Sequence, residues 1–106
     1  MLWYKHLYMG EKAARRRASI IQNIRMNKLQ PEVYVITPAS NKENLLDIYP
    51  AASLLHPYYK EQELLIVGIA VGHGEAMEVA GRIVSEMYQK TGAFCLDEFL
   101  DEKGRM

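Results

Sequence analysis

Gly72, His73 and Gly74 follow an apolar run directly and open a helical pattern. Glycines at such a point let an anion approach the backbone. The free amides of a helix N-terminus attract it, and the His73 imidazole supplies a donor or a general acid. The ligand expected there is a small molecule bearing a phosphate or a carboxylate. Ser40 and Asn41 form the other half of that candidate site. They too follow an apolar run, and Ser40-Asn41-Lys42-Glu43 matches a helix capping box. The plainer reading of both stretches is a tight turn and a helix cap. Gly-His-Gly-Glu is neither the six-residue dinucleotide fingerprint nor a phosphate loop ending in Lys-Ser/Thr.

Arg15, Arg16 and Arg17 carry a different chemistry. Residues 1–28 hold seven basic side chains against Glu11 alone, and the remainder of the chain is acidic by the same margin, so the net charge is zero. Trp3, Tyr4 and Tyr8 precede the arginines. Basic groups contact phosphates and aromatic rings stack on bases, so this stretch is a candidate nucleic-acid surface. A neutral chain is unusual for that role. The competing reading is a solvated basic helix lying beside an acidic one, within the chain or across a dimer.

The remaining reactive types form no constellation. Cys95 is the lone cysteine and reads as a small buried apolar residue. His6, His56 and His73 lack metal-ligand spacing, so neither a metal nor a cofactor is expected. Glu75 and Glu78 fall in the first turn of a predicted helix, where the dipole stabilises carboxylates without any catalytic role. No catalytic set is apparent.

The elements that must position these groups alternate along the chain. Residues 2–8 read as a short first strand, the least regular of the set. Residues 11–28 read as one helix, with Ala13, Ile20, Ile21 and Ile24 on one face and Arg17 falling on that same side. Residues 32–37 and 63–71 are apolar throughout, as strands covered on both faces would be, and Gly68 within the latter implies close approach by a neighbour. A helix is expected from the capping box through Leu45, Leu46, Ile48 and Tyr49, kinked at Pro50 and resuming to Leu55. Residues 75–91 give the clearest helix, left through Gly92. Residues 94–96 read as an edge strand.

Together these predict an α/β fold: a single domain over residues 1–106, with three helices and a small, mostly parallel sheet in the order β-α-β-α-β-α. A lone cysteine and no signal-peptide core imply a cytoplasmic protein, and the longest apolar run is too short for a membrane span. Two clear strands make a poor sheet, and the chain has six methionines and seven tyrosines. The leading expectation is therefore a non-catalytic interaction protein that forms a homodimer or binds a protein partner. The small-anion binder and the nucleic-acid binder are the alternatives.

Overall fold

The computed structural model describes residues 1–40, 44–60, 64–94 and 96–104. Asn41, the Lys42-Glu43 part of the capping-box pattern and Cys95 lie outside them. Four strands, β1 (Leu2–Met9), β2 (Val33–Pro38), β3 (Leu46–Pro50) and β4 (Leu65–Val71), form one sheet in the order β1-β4-β2-β3. Residues 66–70 of β4 are all buried, which is why its sequence is apolar without alternation: it lies inside the sheet and is covered on both faces.

The sheet is mixed rather than mostly parallel. β1 runs parallel to β4, while β2 is antiparallel to both β4 and β3. The expected parallel crossover from β2 to β4 is absent because the intervening segment is not the expected helix. Residues 46–50 form β3, which returns along β2 as a hairpin. Leu46 and Ile48 pack against one core while Tyr49 packs against the other, the period of two that a strand requires. Leu46, Ile48 and Tyr49 fit this alternation, but together with Leu45 they also fit a helical stripe, and the short run did not decide between them. Pro50 does not kink a helix but ends the edge strand, where no ladder donor is needed.

The capping box is also reassigned. Leu46 to Tyr49, expected in the helix that Ser40 would cap, belong to β3, and Ser40 bonds to that strand. The Ser40 amide and hydroxyl both donate to Asp47 Oδ2, at 3.0 and 3.2 Å, and close the β2–β3 hairpin.

The predicted first helix is two pieces, α1 (Glu11–Arg15) and α2 (Arg17–Arg25), broken at Arg16. One unbroken helix would carry Arg17 on the same side as Ala13, Ile20 and Ile24. With the break those three stay buried and Arg17 is exposed. Burying an unpaired guanidinium would cost far more than the interrupted helix bonds. A 3-10 turn (Ala51–Leu55) and a single helical turn, α3 (Pro57–Lys60), lead to β4. The long helix α4 (His73–Thr91) follows, with Gly92 left-handed at φ 71°. Neither described residue of the expected edge strand at 94–96 lies in a strand: Phe94 stacks on Tyr88 and Leu96 starts α5 (Leu96–Gly104).

Helices cover both faces of the sheet. Val79, Ile83 and Met87 of α4 and Leu96, Phe99 and Leu100 of α5 pack with Tyr4, Tyr8, Ile36 and Val67. Ala13, Ile20 and Ile24 pack on the opposite face with Val33, Val35, Ile66 and Ile69. Burial of each large side chain stabilises by roughly 1.5–3 kcal/mol. Gly68 sits where α4 comes closest: an added Cβ would lie 3.2 Å from both Ile36 Cδ1 and Val79 Cγ1. Both neighbours are completely buried and cannot swing aside. Gly68→Ala should therefore destabilise by about 1 kcal/mol in urea titrations, overpacking outweighing the gain in chain stiffness.

Candidate functional site

β1 and β4 are parallel neighbours, so their C-terminal ends lie side by side. Each leaves through a glycine: β1 through Gly10 into α1, and β4 through Gly72 into α4. The two helices pack on opposite faces of the sheet. A divergence of this kind opens the crevice in which α/β proteins bind ligands.

In this chain Glu75 fills that crevice. Its Oε1 accepts the Lys12 amide at 2.7 Å, and its Oε2 accepts the Ala13 amide at 3.3 Å and the Val71 amide at 2.7 Å. Burial pushes the Glu75 carboxyl up, but the amides of Val71, Lys12 and Ala13 outweigh it and hold the group below the ordinary range. Gly10 is required beneath it, since an added Cβ would fall 2.0 Å from Glu75 Cδ. Arg82 Nη1 donates to the Met9 carbonyl at 3.3 Å and ties α4 to the same strand end. The carboxylate therefore does what a bound anion would do there, and an outside anion would have to displace it.

The sequence-predicted anion residues do not come together. His73 and Gly74 open α4 beside Glu75, and Gly72 is left-handed at φ 90°. His73 lies edge-on to Tyr34, with ring centroids 5.7 Å apart. Ser40 follows the end of β2, which runs against β4, so it stands at the opposite end of the sheet and serves Asp47. The Ser40 and Gly72–Gly74 halves are separated by the length of a strand.

The basic residues are divided as well. Arg15 pairs with Glu11 at 2.8 Å and Arg16 with Glu32 at 3.1 Å, both in solvent. Arg17 instead lines a shallow cleft on α2 with Ala18, Ile21, Gln22 and Arg25, and the Arg25 guanidinium lies 5.7 Å above the Trp3 ring. Tyr4 and Tyr8 are in the core under α4 and α5, with the Tyr4 hydroxyl donating to the Leu100 carbonyl. The aromatic set expected to stack on bases is thus split between two faces, and Arg25 covers its one member on the basic side.

A third site had not been foreseen. α4 and α5 pack mainly over β1, β4 and β2, leaving an open groove of about 490 Å³ between α4 and the edge strand β3. Leu46, Ile48, Met77, Ala80, Val84, Gly81 and Ser85 line it, and none is charged. Met77 is 54% exposed. Tyr88 and Phe94, stacked at 5.2 Å, extend the exposed apolar surface toward the C-terminal end of α4. A sequence signal for this groove existed. The apolar arc of α4 takes in Met77, Ala80, Val84 and Tyr88 beyond the buried Ala76, Val79, Ile83 and Met87, wider than one packing face needs.

Among the described residues, no cluster of three or more His, Cys, Asp or Glu is placed to hold a metal ion, and no helix is long and apolar enough to cross a membrane. Comparison with protein-family models, curated proteins and solved structures returned no match.

Proposed function

We propose that this is a non-catalytic interaction protein that works as a pair of identical chains joined through the β3–α4 face. The observation that carries the proposal is the uncharged apolar groove lying open beside the sheet edge. A two-fold axis sets a surface against its own copy, so a surface rich in one charge would repel itself. This groove carries no charge to repel. The crevice where a small ligand would otherwise be sought is filled by Glu75, which favours a binding surface elsewhere over a ligand pocket at the strand ends.

The proposal predicts that association strengthens the fold by mass action. The melting temperature should rise with protein concentration, and Met77→Glu should abolish that rise while leaving a dilute sample folded. Met77 is largely in solvent in the single chain, so its replacement costs the monomer little. A melting temperature independent of concentration in the unmodified protein would overturn the proposal.

A further inference from the structure

The hydrogen-bond parity of β3 says how two copies would join. The Ala39 amide donates to the Leu45 carbonyl at 3.1 Å, and Thr37–Asp47 and Val35–Tyr49 lie opposite each other further along the hairpin. In an antiparallel ladder bonded pairs alternate with unbonded ones. Leu45, Asp47 and Tyr49 therefore turn their backbone groups toward β2, and Leu46, Ile48 and Pro50 turn theirs away. Pro38 and Pro50, which have no amide to offer, both occupy unbonded positions of the β2–β3 ladder. This is the placement the parity demands.

We infer that two copies pair β3 against β3 in antiparallel fashion, with the two-fold axis at Ile48, to make one continuous eight-stranded sheet. The inference rests on the self-association proposed above. β3 spans five residues, and its central residue presents both backbone groups outward, as a two-fold pairing requires. The Ile48 amide then donates to the carbonyl of the partner's Ile48, and the Leu46 amide to the carbonyl of the partner's Pro50. With their symmetry mates these make four bonds. The missing Pro50 amide ends the ladder there.

Charge points to a second copy as the occupant. The other sheet edge, β1, carries the exposed Lys5, the kind of residue that keeps an edge from pairing. The one charged residue of β3, Asp47, is engaged by Ser40 and Tyr49, whose hydroxyl donates to it at 2.9 Å. Leu46 and Ile48 of the two copies then form one apolar floor between the two α4 helices. Stable interfaces cover about 800 Å² on each partner, roughly an eighth of the 6547 Å² one chain exposes. A strand edge about 17 Å long covers less than that, which places the pair at the weak, transient end of such interfaces.

A charge swap at the axis tests this pairing. Ile48→Lys and Ile48→Glu should each raise the dissociation constant about 100-fold, because like charges meet at the two-fold. An equimolar mixture should restore a heterodimer. In the unmodified protein the Leu46 and Ile48 amides should exchange with solvent more slowly as concentration rises; this readout needs no variant and survives any failure of the variants to fold. Should the unmodified protein dimerise while both variants dimerise equally well, or while those two amides exchange at the rate of free edge amides, the β3 pairing is overturned and self-association stands. A chain that remains monomeric overturns both.

Discussion

Gly10→Ala should destabilise the protein by about 3 kcal/mol, as much as removing the Glu75 side chain altogether. The methyl carbon would occupy the place of the Glu75 carboxyl, 2.0 Å from Cδ and 2.6 Å from Oε1. Two such atoms cannot coexist, so Glu75 must leave. Three backbone amides, of Lys12, Ala13 and Val71, then lose a charged acceptor. Each such bond is worth about 1.5–3 kcal/mol when buried and less where water can take its place. The Lys12 amide is in solvent and the other two are partly buried, which sets the total near the stated figure. Because both substitutions remove the same interaction, they should not add. A double-mutant cycle by urea denaturation should find Gly10→Ala nearly without further cost in a Glu75→Ala background. Additive losses would mean that Gly10 and Glu75 act separately.

Acid should act through the same carboxylate. The folded-state pKa of Glu75 lies below the 4.5 of an unperturbed glutamate. Its contribution is therefore fully present above the unfolded value and is lost as pH falls through the folded one. Asp47 follows the same sign: burial pushes its carboxyl up, but the Ser40 amide and the Tyr49 and Ser40 hydroxyls outweigh it and hold it below its ordinary value. Stability measured between about pH 3 and pH 7 should fall toward acid, and Glu75→Gln should lose about 2 kcal/mol at neutral pH and show a shallower acid slope, the remainder belonging partly to Asp47. An unchanged slope in Glu75→Gln would assign the acid sensitivity elsewhere.

The parts legible in the sequence were those whose cause is local. Residues 63–71 read as a buried strand by their continuous apolar run and residues 75–91 as a helix by period; the strand runs over Leu65–Val71 and the helix, which takes in His73 and Gly74 as well, over His73–Thr91. Gly92 marks its end because a left-handed residue is needed there, and Gly68 marks a close approach because a side chain would strike α4. The parts that were not legible depend on distant partners. β3 is a strand because β2 offers it a ladder, whereas its own residues fit a helix as well. Ser40 serves Asp47, seven residues on in β3. The break at Arg16 keeps Ala13 before it and Ile20 and Ile24 after it buried while Arg17 stays in solvent.

The candidate site divides along the same line. His73 and Gly74 do open a helix, as their sequence implies. What makes that place chemically full is Glu75, and two of its three amides lie 62 and 63 residues away on α1. Helix position alone had given Glu75 only a dipole contact. The groove beside β3 was hidden for a related reason: it exists because β3 is a strand at the sheet edge.

Sedimentation equilibrium over about 1 to 100 µM tests the central claim most directly, since that span suits the weak, transient association expected of a small interface. Self-association predicts a mass that rises with concentration from the 12.2 kDa of one chain toward twice that value, and that stays at one chain throughout for Met77→Glu. A mass of one chain at every concentration of the unmodified protein would contradict it.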